Sequence, residues 1–70
     1  MHDKSMSQIT SRIKKLRQQN GMTQSDLAKK AGLNTNSYAK IERGERTPSI
    51  KTLEKLFKAL GVKSSDVLPF

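Results

Sequence analysis

The chain has 70 residues and no cysteine, so it can form one small domain whose core has no disulfide or thiolate metal site to support it. It carries 14 Lys and Arg against 6 Asp and Glu, and the resulting formal charge of +8 favours a polyanionic partner such as duplex DNA, RNA or an anionic membrane surface. The alternative is a solvated basic surface that only keeps a small domain soluble. No apolar run approaches the roughly 20 residues of a membrane span. The opening MHDKSMSQ also lacks the apolar stretch of a signal peptide, so we expect a cytoplasmic protein.

The four glycines mark the ends of predicted helices. Each follows a segment with helical apolar spacing, where a left-handed residue favours termination. The predicted helices run from about Gln8 to Asn20, from Gln24 to Ala31, from Thr35 to Arg43 and from Ile50 to Leu60. A short final turn starting at Ser64 or Ser65 is a possible fifth helix, and no segment alternates with period two. The sequence therefore predicts an all-α fold.

Each of the three later helices has a predicted capping residue. Thr23 caps the second helix, and Asp26 completes a capping-box pattern three residues later. Asn34 caps the third helix. Ser49 caps the fourth, with Thr47 before a proline at the first helical position as the alternative.

The remaining composition limits the kinds of site that the chain can hold. Residues 1–7 are predicted to be a flexible tail, and residues 8–70 a single domain. His2 lies in the tail, where a metal role is improbable. No cluster of His, Cys and carboxylates predicts an enzyme or a metal centre, and nothing indicates a cofactor or a small-molecule ligand.

The third predicted helix has an unusual outer face. With Leu33, Tyr38 and Ile41 facing inward, the opposite face collects small, polar and basic side chains, namely Thr35, Asn36, Ala39, Lys40 and Arg43. Asn can bind adenine through two hydrogen bonds, Lys can donate to guanine, and Thr or Ala can approach a thymine methyl. This pattern favours base contacts over a solvated surface, more strongly for Asn36 and Lys40 than for Thr35 and Ala39.

Other residues near this helix suit phosphate contacts. Gln24 begins the second helix, where its amide and the free N–H groups can meet a phosphate. Arg43, Arg46 and Lys51 flank the end of the third helix and the following loop. The alternative for each is a solvated surface residue without a role.

Taken together, MTQSDLA, the turn AGL, the run IERGERTPSI and the closing KALGV resemble the phage repressor and Cro type of helix-turn-helix protein, the Xre family. The resemblance covers about residues 9–68. It implies a compact four- to five-helix, lambda-repressor-like domain whose third helix is the recognition helix. It also implies that two copies bind a double-stranded DNA operator with half-sites about 34 Å apart.

The resemblance also assigns roles to individual residues. Gln24, Thr35, Asn36, Ala39 and Lys40 match positions that face DNA, and Ser37 can reach a phosphate or a base edge. Ala28, Gly32 and Ile41 match structural positions. Arg17 and Glu42 match a partly buried ion pair between the first and third helices, so Glu42 is interpreted as a positioning residue.

Three positions depart from the family pattern. Tyr38 stands where Ile or Val is usual, Phe57 where a small residue is usual, and Ser64 where an apolar residue is common. Our hypothesis is that Phe57 either fills volume near Ser64 or extends an exposed patch used for dimerisation.

The function that these observations favour is a sequence-specific DNA-binding transcriptional regulator that acts as a homodimer, with a dimer that is weak off DNA. The alternative is an antitoxin or adaptor that binds a protein partner through Phe57, Val62, Val67, Leu68 and Phe70. A basic module for RNA is disfavoured because the chain has only three aromatic residues. Membrane binding is disfavoured because the basic residues are dispersed over several helices.

Overall fold

The computed structural model describes residues 4–63 of the chain. Within them it contains four helices and no strand: α1 (Lys4–Gln19), α2 (Gln24–Ala31), α3 (Thr35–Glu42) and α4 (Ile50–Leu60). The predicted all-α fold is confirmed. The predicted final turn, with its apolar Val67 and Leu68, lies outside the described residues.

Helix α1 begins earlier than the sequence predicted. It starts at Lys4, so residues 4–7 are helical, and the prediction of a tail through residue 7 was wrong for them. The physical reason is that Met6 extends the apolar stripe of Ile9 and Ile13 by one more turn and packs against the core. A buried anchor of this kind holds the first turns in helical conformation.

The predicted caps are present. The Thr23 hydroxyl accepts from the Asp26 N–H at 3.0 Å, and the Asp26 carboxylate accepts from the Thr23 N–H at 2.9 Å, which completes the capping box. The Asn34 side chain accepts from the Ser37 N–H at the start of α3. Ser49 caps α4 by accepting from the Thr52 N–H at 3.1 Å, so Thr47 is not the cap.

Glycines end the helices as predicted. At the end of α2, Gly32 has φ of 73°, and its N–H donates to the Lys29 carbonyl while the Leu33 N–H donates to the Ala28 carbonyl at 2.7 Å. These two bonds form a Schellman motif, which requires a left-handed residue. The same pair of bonds follows each of the other three helices. Every helix therefore ends in a sharp turn of fixed geometry.

The core lies where all four helices meet. Its largest fully buried side chains come one from each helix: Ile13, Leu27, Tyr38 and Leu56. Helices α1 and α2 each pack against both α3 and α4, whereas α3 and α4 make few contacts with each other. The third and fourth helices consequently lie on different sides of the domain.

Phe57 belongs to this core. It is 4% exposed and packs within the buried cluster, so the hypothesis that it extends an exposed dimerisation patch was wrong. Val62 also packs against the cluster. The larger ring at position 57 is accommodated because α4 presents its broad apolar face directly to α1 and α2. Ser64, the predicted neighbour of Phe57, lies outside the described residues.

Candidate nucleic-acid interface

The turn between α2 and α3 holds the two helices at a fixed angle. Only residues 32–34 separate them. The Schellman bonds at Gly32 fix the exit from α2, and the Asn34 cap fixes the entry into α3. Met22, just before the cap of α2, and Leu33, within the turn, both pack against the core cluster. This is the arrangement by which one helix supports and orients a second one at a surface.

The outward face of α3 is narrow and polar. Asn36 and Lys40, one turn apart, are exposed, and Arg43 continues the row as the residue that ends the helix. Thr35 and Ser37 flank this row and are half-buried. The described residues give Lys40 no ion pair, so its ammonium group is available to an anionic or hydrogen-bonding ligand.

Ala39 is more buried than the other three residues predicted to contact bases, and its base contact stays a prediction. It is only 8% exposed. The inward face of α3 is centred on Tyr38 and Ile41, and Ala39 lies about 100° around the helix from Tyr38. Because α3 packs against both α1 and α2, its buried face is wide enough to include this flanking residue.

Apart from Gln24, the residues predicted to contact phosphates occupy three places. Ser37 and Arg46 are brought together, and the Arg46 guanidinium donates to the Ser37 hydroxyl at 3.2 Å. Arg43 instead forms an exposed ion pair with Glu45 at 2.8 Å, which offsets its charge locally. Lys51 is exposed in the first turn of α4.

Two backbone N–H groups at the N-terminus of α2 have no partner within the helix. The capping box satisfies the N–H groups of Thr23 and Asp26. The first helical residues, Gln24 and Ser25, have no intrahelical acceptor for their own N–H groups. These two N–H groups and the positive end of the helix dipole lie at the position where the sequence predicted a phosphate contact.

Four polar side chains meet beneath α3, and we call Arg17, Gln24, Tyr38 and Glu42 the Glu42 cluster. Arg17 binds the Glu42 carboxylate through two hydrogen bonds, from Nε at 2.7 Å and from Nη2 at 3.2 Å, and its Nη1 donates to the Met22 carbonyl at 2.7 Å. Gln24 Nε2 donates to Glu42 Oε1 at 2.8 Å, and the Tyr38 hydroxyl donates to Glu42 Oε2. The Arg17–Glu42 ion pair that the resemblance implied is present, and its side chains are 10% and 3% exposed.

The charges in the Glu42 cluster are stabilised by these contacts. Burial raises the pKa of the Glu42 carboxyl, but the hydrogen bonds from Arg17, Gln24 and Tyr38 outweigh it and hold the pKa below its ordinary value. Burial, together with the bond to Glu42, raises the pKa of the Tyr38 hydroxyl well above its ordinary value. Glu42 is therefore ionised and Tyr38 is protonated across the physiological range.

A pH dependence of folding follows from these two shifts. Because the pKa of Glu42 is lower in the folded state, its contribution to stability is present above the unfolded value of about 4.3 and is lost as pH falls below it. Because the pKa of Tyr38 is raised, its contribution is present below about pH 10 and is lost above that. We expect denaturant titrations to show a lower free energy of unfolding at both acidic and alkaline pH. In Tyr38→Phe, the decrease in stability at alkaline pH should be smaller. If Tyr38→Phe lost as much stability at alkaline pH as the wild type, this account would be contradicted.

Two contacts of the Glu42 cluster were missed by the sequence analysis. Tyr38 and Glu42 are four residues apart on α3, and this spacing could have indicated their hydrogen bond. The bond from Gln24 joins residues 18 positions apart, and no local pattern in the sequence signals it. The Gln24 amide, predicted to face a phosphate, is thus also engaged within the domain.

A metal-binding group and a membrane-spanning helix are both absent from the described part of the chain. Residues 4–63 contain no group of three His, Cys, Asp or Glu that could hold a metal ion. Over the same residues, no helix is both long and apolar enough to cross a membrane.

Comparison with protein families gives a match over most of the chain. A family model described as helix-turn-helix matches residues 13–67, which include α2, the turn and α3. The chain belongs to this helix-turn-helix family. The family named from the sequence motifs is thereby confirmed.

Relatives with assigned names agree with this membership. The helix-turn-helix chain is 40% identical over 60 residues to the immunity repressor protein of Bacillus phage phi105. The match covers 86% of this chain and 42% of the phage protein, so the chain spans less than half of that relative. It is 39% identical over 59 residues to an HTH-type transcriptional regulator of Methanocaldococcus jannaschii, covering 84% of this chain and 89% of that one.

Solved structures show the same fold. The restriction-modification controller protein C.Esp1396I superposes with a TM-score of 0.87 at 38% identity, over 94% of this chain and 85% of that one. A second structure of the controller, with the same TM-score and identity, shows its tetramer in complex with its natural 35 base-pair operator. That match covers 94% of this chain and 87% of the controller chain.

Proposed function

We propose that the protein is a sequence-specific transcriptional regulator that places α3 in the major groove of a double-stranded DNA operator. The observation that carries this proposal is the exposed pair Asn36 and Lys40 on a helix that a rigid turn holds at the surface. An amide and an ammonium group on successive turns can read adjacent base edges. Thr35, half-buried at the start of α3, lies beside them.

The surrounding groups supply contacts to the phosphate backbone. These groups are the N–H groups of Gln24 and Ser25 at the start of α2, which have no acceptor within that helix, and the guanidinium of Arg46, which donates to Ser37 in α3. Lys51 adds a further charge at the start of α4. Such contacts fix the register of the protein on DNA without reading sequence.

We further propose that two copies bind one operator. The controller protein C.Esp1396I assembles as a tetramer on its operator, and its fold matches this chain closely. Two-fold related copies of α3 would enter successive major grooves about 34 Å apart. The protein acts in the cytoplasm on DNA, and the proposal includes no enzymatic step. An adaptor role has less support, because Phe57 and Val62 are used in the core.

Selection of binding sites from random duplex DNA tests the proposed function. We expect enrichment of a pseudo-palindromic site, bound far more tightly than a scrambled duplex at the same salt concentration. If selection enriches no sequence, or the enriched duplex and the scrambled duplex bind alike, the protein is not a sequence-specific regulator.

Arg46→Ala tests the phosphate contacts separately. We expect this substitution to weaken binding to the selected and the scrambled duplex by similar factors and to reduce the slope of log affinity against log salt by about 1. Lys58→Ala, on the outer face of α4, removes the same charge from a different surface and should leave the slope closer to that of the wild type. If Arg46→Ala and Lys58→Ala gave the same slope of log affinity against log salt, Arg46 would not be a phosphate contact.

A further inference from the structure

The carboxylate of Glu42 accepts four hydrogen bonds although its side chain is 3% exposed. Oε2 accepts from Arg17 Nε and from the Tyr38 hydroxyl. Oε1 accepts from Gln24 Nε2 at 2.8 Å and from Arg17 Nη2 at 3.2 Å. In the described residues no buried side-chain nitrogen or oxygen lacks a partner, so this carboxylate is fully satisfied without help from solvent.

The donors to Glu42 differ in their freedom to move. Tyr38 is fully buried, and Arg17 is 8% exposed and also fixed to the Met22 carbonyl. Gln24 is half-buried at the first position of α2, where the backbone N–H groups of Gln24 and Ser25 have no acceptor within the helix. Among the donors, only the Gln24 amide can exchange its internal acceptor for an external one without disturbing the core.

We propose that Tyr38 is a positioning residue for DNA binding, whose hydroxyl keeps Glu42 satisfied while the Gln24 amide turns from Glu42 to a DNA phosphate. This inference rests on the proposed function and deepens it. Tyr38 does not touch DNA in this arrangement. It acts through Glu42, by lowering the cost of releasing Gln24.

The hydrogen bonds that Glu42 keeps after Gln24 turns away explain why the Tyr38 hydroxyl would affect DNA binding. When Gln24 turns away, Glu42 keeps its two bonds from Arg17 and the bond from Tyr38, so each carboxylate oxygen still has a donor and Oε2 has two. Without the hydroxyl, the carboxylate would depend on Arg17 alone, in surroundings that exclude water. An under-satisfied buried charge is costly, so the Gln24 amide would stay on Glu42 and would be withheld from the phosphate.

The position of Tyr38 fits this role. Its hydroxyl is on the same helix as Glu42 and one turn before it, so the two groups move together with α3. A branched aliphatic side chain at position 38 could fill the core but could offer no donor. In Tyr38 the aromatic ring supplies the packing and the hydroxyl donates the hydrogen bond.

A double-mutant cycle in operator affinity tests the inference. The variants are Tyr38→Phe, Gln24→Ala and the double substitution, each titrated with the selected duplex at a temperature where circular dichroism shows native helix. We expect Tyr38→Phe to weaken binding by roughly 3- to 10-fold, the scale of one hydrogen bond. In the Gln24→Ala background the same substitution should have no effect on affinity, because the amide that it would restrain is absent.

A control separates this role from a purely structural one. Leu53→Val in α4 shortens a core side chain outside the Glu42 cluster and lowers stability, and it should leave the affinity of the folded domain unchanged. The side-chain amide resonances of Gln24 give a second readout. In the wild type they should shift when DNA is added, and in Tyr38→Phe the shift should be smaller.

The outcomes distinguish the inference from the proposed function. Tyr38→Phe binding with wild-type affinity, or losing the same factor with and without Gln24, would overturn the role of Tyr38 while leaving DNA recognition intact. A wild-type protein that selects no duplex would overturn the proposed function instead.

Discussion

Arg17→Ala is expected to lower the free energy of unfolding by about 3–5 kcal/mol, the range found when one partner of a buried ion pair is removed. The substitution leaves Glu42, whose side chain is 3% exposed, without the two bonds from the guanidinium. It also leaves the Met22 carbonyl without its donor. For a domain of this size, such a loss is a large part of the total stability.

Urea titration monitored by circular dichroism measures this effect, and the same helix offers a matched control. Arg12 is exposed on α1, and Arg12→Ala removes an identical charge and side chain without disturbing the core. We expect this control to change stability by less than about 0.5 kcal/mol. The stability of Arg17→Lys should fall between those of the two alanine variants, since one ammonium group cannot reproduce the three hydrogen bonds that the Arg17 guanidinium donates. If Arg17→Ala and Arg12→Ala were equally stable, the ion pair would have no structural role.

Asn36→Ala and Lys40→Ala are expected to weaken operator binding by about 1–3 kcal/mol each and to relax sequence preference at the bases that they contact. Both side chains are exposed on α3, so their removal leaves the fold intact. The discriminating quantity is the ratio of affinities for the selected and the scrambled duplex. It should fall for both variants, whereas a phosphate contact would weaken both duplexes alike.

Fluorescence anisotropy at constant salt measures this ratio. Lys58→Ala is the matched control for Lys40→Ala, because it removes an exposed lysine from α4 on a different side of the domain. Affinities and ratios equal to those of the wild type in both α3 variants would exclude Asn36 and Lys40 from base recognition. Melting temperatures close to that of the wild type would show that any loss is not caused by unfolding.

The fold was predictable because its signals are local. The capping box of Thr23 and Asp26, the caps Asn34 and Ser49, and the left-handed Gly32 each act within a few residues, so the sequence displays them directly. The start of α1 was missed for the opposite reason, because its signal is not local. Its first turns are stabilised by packing of Met6 on the core, and packing depends on the tertiary structure.

The candidate interface was only partly predictable. The exposed places of Asn36 and Lys40 follow from helical spacing. The burial of Ala39 depends on how widely α3 is covered by α1 and α2, which spacing alone does not give. The contact of Gln24 with Glu42 depends on the angle between α2 and α3 and on side-chain rotamers, so it required three-dimensional coordinates.

The separation of α3 from α4 has an evolutionary consequence. The two helices scarcely touch, and each is held independently against α1 and α2. Substitutions on the outer surface of α4 can therefore accumulate without a direct path to the helix proposed to read DNA. Within such a scaffold, the outward face of α3 and the outer surface of α4 can change in sequence at separate rates.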